Sequence, residues 1–212
     1  MNNIMVDIET TGTDSGRHAI LQISAWRFGL KEGEIDPVPF DRCLYKPPHR
    51  SWDEGTRNWW YGDKERRETL KNITARGEDP YTVMRAFCEW SRPHESPIFW
   101  SKPTHFDFPF IQSYCADYSL AMPFHYRMAQ DMNTFIRALH FPNPAPALTV
   151  KFEGAAHNAV FDTLNQIQVL WAHLTQLGLE PLPEPAPFKP EPSVAELISS
   201  ETTLPADLVK VN

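Results

Sequence analysis

The chain has 212 residues, 42% of them apolar and 22% charged, and a formal net charge of −7. This length fits one globular domain with a sizeable core. The acidic balance argues against a protein that binds nucleic acid through a basic field over its whole surface. It still allows an enzyme that meets phosphates through bound metal and a local basic patch.

Cysteine usage and the start of the chain indicate the compartment. Cys43, Cys88 and Cys115 are odd in number and lack the close spacing of zinc or redox motifs, which predicts free thiols in a reducing environment. The first residues run straight into a strand pattern, which leaves no room for a signal peptide, and no apolar run approaches transmembrane length. We therefore expect a soluble, cytoplasmic protein.

The first predicted strand is Ile4-Met5-Val6-Asp7-Ile8-Glu9, and Thr10-Thr11-Gly12 ends it. Ile4, Val6 and Ile8 alternate with Met5, Asp7 and Glu9, so Asp7 and Glu9 leave the same face near the strand's end. Two adjacent carboxylates repel unless a cation or water separates them, and carboxylates suit hard ions such as Mg²⁺ or Mn²⁺. A polar strand end with both acids solvated is the alternative, and a bare Asp-x-Glu favours it.

The next elements extend this strand into a sheet. Residues 19–28 and 38–45 form strand patterns separated by turn-like segments, so an antiparallel meander is expected. From residue 52 to about 74 the pattern is helical and heavily charged, with Asp63 as a good N-cap. Within it, the Trp59-Trp60-Tyr61 cluster is either a buried core anchor, which we favour, or an exposed base-stacking platform beside Lys64, Arg66 and Arg67.

The rest of the chain alternates helices and strands, which predicts an α/β fold with helices packed on a mixed sheet. The expected elements are a helix over 81–91 begun by Pro80, a strand at 96–100, a helix near Pro109, a strand at 127–130, a helix over 132–139 capped by Asp131, and an amphipathic helix over 158–177. Beyond Gly178 proline recurs almost every second residue. We therefore divide the chain into a domain of residues 1–178 and a proline-rich tail, 179–212, that is extended or disordered, with room for a short C-terminal docking segment.

A second acidic position lies in Phe106-Asp107-Phe108-Pro109. Proline suits the first turn of a helix but not its interior, so Asp107 should lie at or just before the helix start. The flanking phenylalanines should hold it on the surface of the core. An ordinary N-terminal cap is the alternative to a metal ligand, and this position alone favours the cap.

The third candidate is His157-Asn158-Ala159-Val160-Phe161-Asp162. Five residues rotate a helix by roughly 140° beyond a full turn, so His157 and Asp162 cannot share a helical face. We expect His157 on a loop before the helix and Asp162 in its first turn, which suits a mobile proton acceptor beside a fixed carboxylate. A solvated histidine and an aspartate that stabilises the helix dipole are the alternative.

In this order the motifs Asp-x-Glu, Phe-Asp-x-x-x-Ile and His-x-x-x-x-Asp resemble those of the DEDDh (DnaQ-like) 3′–5′ exonucleases of the ribonuclease H-like superfamily. The resemblance covers roughly residues 1–177. Thr56, Trp59 and Trp60, together with residues 127–134, look most like the phage-type exonuclease and 3′–5′ exoribonuclease subgroup.

One motif permits two assignments within that family. The His157 motif also resembles the second motif of polymerase proofreading subunits, but no later His-x-x-x-x-Asp follows it. Asp107 is therefore assigned to the second motif, and His157 with Asp162 to the third.

The resemblance implies a ribonuclease H-like, mixed five-stranded sheet flanked by helices, and an enzyme that releases nucleoside 5′-monophosphates from the 3′ ends of single-stranded RNA or DNA. Its catalytic residues would be Asp7, Glu9, Asp107, His157 and Asp162. The four carboxylates would hold two Mg²⁺ or Mn²⁺ ions. Asp7 would bridge them, Glu9 and Asp162 would hold the nucleophile-side ion, and Asp107 would help to hold the other. Neutral His157 would accept a proton from the attacking water, a role that suits imidazole.

The resemblance also implies contacts to the terminal nucleotide, from Ile8, Thr10, Thr11, Phe106 and His157, with the backbone around Ile8 to Thr11 closest to it. The stretch Lys102-Pro103-Thr104-His105 departs from the family pattern, in which many relatives carry asparagine or small residues. This departure affects the substrate pocket rather than the metal site.

Other functions compete with catalysis. One alternative is a non-catalytic nucleic-acid or protein-binding module that kept the fold. The tail from Pro181 onward is a separate candidate, as a proline-rich ligand for a partner protein. Some relatives act as homodimers, and the sequence decides neither oligomeric state nor RNA against DNA.

Overall fold

The computed structural model describes residues 1–92, 96–148, 150–151 and 157–179. Its elements alternate along the chain: β1 (Asn3–Thr10), β2 (Ile20–Phe28), β3 (Phe40–Cys43), α1 (Glu54–Tyr61), α2 (Lys64–Ala75), α3 (Pro80–Ser91), β4 (Ile98–Ser101), α4 (Thr104–Asp117), a 3₁₀ turn (Tyr126–Met128), β5 (Ala129–Asp131), α5 (Met132–His140) and α6 (Ala159–Gln176). The predicted tail lies outside the described residues from position 180 onward.

The five strands form one mixed sheet in the order β3-β2-β1-β4-β5. Strands β1, β2 and β3 pair antiparallel as the predicted meander, whereas β4 lies parallel to β1, and β5 lies parallel to β4. The parallel strands are linked by helical crossovers, as parallel pairing requires. The predicted mixed five-stranded sheet flanked by helices is confirmed.

Alternation along β1 divides the core into two layers. Ile4, Val6 and Ile8 pack with side chains of α3 and α4 on one face. Met5 packs on the other face with residues of α5 and α6. Each buried isoleucine or valine contributes about 1.5–3 kcal/mol, so the central strand is held firmly from both sides. Because Asp7 and Glu9 share the face of Met5, they point toward the α5 and α6 layer.

Two helix boundaries differ from the sequence expectation. The helical pattern expected over 52–74 is two helices, since Gly62 caps the end of α1 and the Asp63 side chain accepts from the Arg66 N–H to start α2. Helix α4 begins at Thr104, so Asp107 lies within its first turn rather than at or just before its start, and Pro109 lies inside the helix. The missing proline N–H leaves the carbonyl of His105 without its helical donor, and His105 is exposed, so water can supply one.

The other predicted helices and strands of the domain are present, with small shifts in their bounds. Asp131 caps α5 by accepting from the Thr134 N–H, and the strand expected at 127–130 is a 3₁₀ turn followed by β5. The three cysteines are free and buried. Among the described helices, none combines the length and the apolar character that a membrane crossing needs.

Candidate active site

Three carboxylates meet at the end of β1. Oxygen atoms of Asp7, Glu9 and Asp162 all lie within 4.8 Å of one another, and the three side chains are half-buried. Asp7 and Glu9 come from the same face of β1, and Asp162 comes from the first turn of α6, which packs across β1 and β2. Three oxygen donors at this spacing are ligands that suit a hard divalent cation.

Burial and mutual repulsion make these acids unusually hard to ionise without a cation. The pKa of Asp7 is raised to about 7, chiefly by burial and then by the charge of Asp162. Burial and the charges of Asp7, Asp162 and Asp107 hold the pKa of Glu9 well above its ordinary value. Burial also raises the pKa of Asp162. A divalent cation would remove this penalty, which is the electrostatic signature expected of an acidic metal site.

Asp107 stands beside this group, outside the set of oxygens that meet within 4.8 Å. It lies in the first turn of α4, is only 2% exposed, and its Oδ2 has no hydrogen-bond partner among the described residues. Burial and the charge of Asp7 raise its pKa, while hydrogen bonds from Ser101 and the Ile8 backbone oppose the rise. A buried carboxylate oxygen without a donor fits a cation ligand better than it fits a helix cap.

His157 precedes α6, as predicted. It is exposed, its backbone lies in the left-handed region at φ 58°, and Asn158 caps the helix after it. The imidazole and the Trp59 ring pack edge to face, with ring centroids 4.8 Å apart and planes at 81°. The structure therefore places His157 and Asp162 at one helix end, where the histidine ring is steadied by an aromatic contact from α1.

Trp59 and Trp60 differ in burial, and the sequence left open whether they are a core anchor or an exposed platform. Trp60 is 1% exposed and donates its indole N–H to the Thr10 carbonyl, so it is the expected core anchor. Trp59 is 40% exposed, with the Arg66 guanidinium 4.5 Å above its ring. The preference for burial is right for Trp60 and wrong for Trp59.

Gln166 is a site residue that the sequence reasoning missed. Its Nε2 donates to Asp7 Oδ1 at 2.9 Å, it is 8% exposed, and its Oε1 has no partner among the described residues. Gln166 follows Asp162 by four residues on α6, so both leave the same helical face. That spacing was the available signal.

Gln22 is a second residue that was missed, because its role depends on strand register. It is buried opposite Glu9 in the β1–β2 pair. Its amide donates to Asn158 Oδ1 at 3.1 Å and accepts from the Ala159 N–H at 3.3 Å. Gln22 therefore ties the start of α6, and with it the His157 segment, to the sheet.

The predicted nucleotide contacts lie around the same strand end. Thr10 donates its hydroxyl to the Gly12 carbonyl, and Thr11 donates to Ser51 while accepting from the Ala19 N–H. Ile8 is buried, and Phe106 is half-buried. The two threonine side chains thus shape the turn after β1, and a contact from this turn to nucleotide stays a prediction.

The order and directions of the five strands define a ribonuclease H-like fold. The sequence pattern of the 3′–5′ exoribonuclease Rv2179c-like domain matches residues 2–174, and the chain belongs to that family. The predicted membership in the 3′–5′ exonucleases is confirmed. No curated protein matched the chain in sequence.

Solved structures share the fold at low sequence identity. Cell-death related nuclease 4 (CRN-4) is 16% identical with a TM-score of 0.59, covering 82% of this chain and 64% of its own. Escherichia coli exonuclease I in complex with a dT13 oligonucleotide is 14% identical with a TM-score of 0.63, covering 83% and 41%. Exonuclease I from Methylocaldum szegediense is 18% identical with a TM-score of 0.59, covering 82% and 40%. The chain therefore spans less than two thirds of these proteins, and family and neighbours together support a nuclease.

Proposed function

We propose that this protein is a divalent-metal-dependent 3′–5′ exonuclease that hydrolyses single-stranded nucleic acid to nucleoside 5′-monophosphates. One observation carries the proposal: oxygens of Asp7, Glu9 and Asp162 gather within 4.8 Å of one another at the end of β1. The unpartnered Asp107 Oδ2 beside them supports it. Membership in the exoribonuclease family supports the direction of attack.

The residues present fit two Mg²⁺ or Mn²⁺ ions. Asp7 would bridge them, with Glu9 and Asp162 on one ion and Asp107 on the other. When bound, such a pair stabilises the attacking and leaving oxygens of an in-line displacement at phosphorus. Gln166 would fix Asp7 Oδ1 through its amide and so orient the bridging carboxylate.

His157 supplies the base in this proposal. Its imidazole would take a proton from a water whose oxygen attacks the phosphorus of the last phosphodiester. The bond from phosphorus to the 3′ oxygen of the preceding nucleotide breaks, and that oxygen is then protonated. The products are a nucleoside 5′-monophosphate and a strand that is one nucleotide shorter. The exposed ring of Trp59 would keep the imidazole at the site entrance.

RNA is the substrate that we put first, because the family is described as exoribonucleolytic. The exonuclease I neighbour is a complex with a DNA oligonucleotide, so a DNA strand is the natural comparison. Trp59 beside Arg66 offers an exposed indole on which a base could stack.

The experiment uses matched RNA and DNA single strands labelled at the 5′ end, incubated with the full chain and Mg²⁺ or Mn²⁺. We expect ladders that shorten one nucleotide at a time and nucleoside 5′-monophosphates as products. A strand with the label at its 3′ end should release the labelled mononucleotide first. Loss of a 5′ label before any shortening, or no cleavage of either strand, would overturn the proposal.

The division of the chain and its assembly remain proposals. The family match ends at residue 174, which supports a catalytic unit that ends near residue 178. A chain that stops after Leu179 should keep the nuclease activity, and a protein partner for the proline-rich tail should bind only the full chain. A homodimer is the assembly to test first, by light scattering of both chains.

A further inference from the structure

A groove beside the carboxylates offers a path for the substrate strand. Strand β4 lies parallel to β1, with Asn3, Ile4 and Met5 opposite Ile98, Phe99 and Trp100. Continuing that register places Lys102, which follows β4, beside Asp7. Lys102 also shares the sheet face of Trp100, and therefore the face that carries Asp7.

The groove opens from Lys102 between α5 and α6. Its volume is about 440 Å³, and its described lining includes Lys102, Asn133, Ile136, Arg137, Val169 and His173. Asn133 and Arg137 are one turn apart on α5, and Arg137 is exposed with its Nε donating to the Asn133 carbonyl. The floor between them is apolar, because Met132, Ile136 and Val169 belong to the core layer beneath.

The charge of this groove differs from that of the whole chain. Two cations, Lys102 and Arg137, lie on its wall, and no carboxylate does among the described residues that line it. Neither cation forms an ion pair with a described carboxylate at salt-bridge distance. The chain as a whole carries a net charge of −7 and repels a polyanion, whereas this groove attracts one through its two cations.

Helix α6 links the groove to the carboxylates. Asp162, Gln166, Val169 and His173 follow one another at spacings of four, three and four residues, so they form one stripe along the helix. At 1.5 Å per residue, the stripe runs roughly 16 Å from Asp162 to the far end of the groove. Gln166 and His173 are only 8% and 4% exposed, so the stripe forms a wall of the groove, and the exposed Lys102 and Arg137 mark the side that a strand from Asp7 can reach.

We propose that the groove between α5 and α6 binds the backbone of the nucleotides that precede the scissile linkage, with Lys102 and Arg137 contacting their phosphates. This inference rests on the proposed nuclease function. The terminal nucleotide is expected at the turn of Thr10 and Thr11, on the β2 side of Asp7. Lys102 and α5 lie on the opposite, β4 side, so they are placed for the part of the strand that remains after cleavage.

The test compares a dinucleotide with a single strand of about twelve nucleotides, because only the longer substrate has phosphates that reach α5. We expect Arg137→Ala to lower the ratio of kcat/KM on the long strand to kcat/KM on the dinucleotide roughly fivefold, as loss of one exposed charge contact does. Arg137→Glu should lower it further. The slope of log affinity against log salt for the long strand, from fluorescence anisotropy, should fall by about 0.7 for each cation removed.

Arg85→Ala is the matched control, since Arg85 is exposed on α3, against the other face of the sheet. It should leave the ratio and the salt slope unchanged. If the wild-type chain cleaves both substrates and the Arg137 variants match it in ratio and slope, the groove does not bind the strand. If the wild-type chain cleaves neither substrate, the proposed function fails. The salt slopes from anisotropy then show by themselves whether the groove binds the strand. Circular dichroism melting verifies that each variant is folded, and Arg137→Gln replaces any variant that is not.

Discussion

At the scale of single residues, the cluster of carboxylates at the end of β1 is held in place by polar neighbours that carry no charge. Gln166 donates to Asp7, and Gln22 holds the start of α6 beside Glu9. Ser24 lies directly opposite Asp7 in the sheet, and its buried hydroxyl has no partner among the described residues. The Gln166 Oε1 and Ser24 Oγ atoms thus give the Asp7 side of the site two unsatisfied polar groups, which is where an ordered water would be stabilised.

Gln166→Ala tests this support directly. The change leaves Asp7 Oδ1 without its amide donor, and loss of such an outer partner typically weakens metal binding tenfold to a hundredfold. We therefore expect the dissociation constant for Mn²⁺, measured by titration calorimetry, to rise roughly tenfold or more. Gln168→Ala on the same helix is the control. Equal Mn²⁺ affinity in the two variants would show that Gln166 does not orient the ligand.

The acids themselves could be predicted from the sequence, whereas their supports could not. Asp7 and Glu9 stand out because strand alternation places them together, and Asp162 because it starts an amphipathic helix. Gln22 faces Glu9 only through the antiparallel register, which depends on how the chain turns between the strands. No local pattern marks a buried glutamine as an anchor for a helix 136 residues away.

At the scale of elements, α1 shows how one helix turn serves both core and site. Trp60 packs with Leu21, Leu70 and Ile73 in a small cluster beneath α1 and α2. The ring of the neighbouring Trp59 contacts those of Trp60 and His157, with ring centroids 5.1 Å and 4.8 Å away. The core therefore fixes the helix from which the exposed indole reaches the proposed base.

Paired substitutions in α1 should separate stability from activity. Trp60→Ala removes a buried indole and its hydrogen bond, so we expect a loss of about 3–5 kcal/mol in the free energy of unfolding. Trp59→Ala should cost about 1 kcal/mol, because its ring contacts are partly exposed, yet it should lower kcat by freeing His157. Urea denaturation and the exonuclease rate measure the two effects. Equal losses of stability, with unchanged kcat for Trp59→Ala, would refute this division.

Element boundaries show where sequence patterns lose information. The strands β1 and β2 were predictable because apolar alternation is strong and turns bound it. The break between α1 and α2 was harder, since Asp63 was recognised as a cap while the charged pattern continued through it. The start of α4 was misplaced because proline was taken as a first-turn residue, whereas the helix begins at Thr104 and holds Pro109 inside it, one turn after the exposed residue His105.

At the scale of the whole molecule, the cluster of carboxylates makes the free energy of unfolding depend on pH. The pKa of Asp7 is about 7 in the folded protein against an ordinary 3.8, so the folded chain keeps a proton that the unfolded chain releases above about pH 4. The free energy of unfolding should therefore fall as the pH rises from about 4 to about 7. The change is at most about 4 kcal/mol, and less because the carboxylate is partly exposed.

This dependence is measured by thermal unfolding of metal-free protein at pH 5 and pH 8, for the wild type and Asp7→Asn. We expect the wild type to lose more stability between the two values than the variant, which has no proton to release at that position. Mg²⁺ at pH 8 should restore stability to the wild type more than to the variant. Parallel pH profiles for both proteins would contradict the raised pKa of Asp7.

The central claim is that the cluster of carboxylates around Asp7 hydrolyses phosphodiesters with bound metal. Its most direct test is the Mg²⁺- or Mn²⁺-dependent rate of 3′ shortening of a labelled single strand by the wild type, Asp7→Asn and Asp79→Asn. Asp79 caps α3, away from the cluster of carboxylates, and asparagine caps a helix equally well. Asp79→Asn therefore controls for the replacement of an aspartate by asparagine. We expect Asp7→Asn to abolish shortening and Asp79→Asn to match the wild type. Equal rates for Asp7→Asn and the wild type, or shortening that persists after metal is chelated, would contradict the claim.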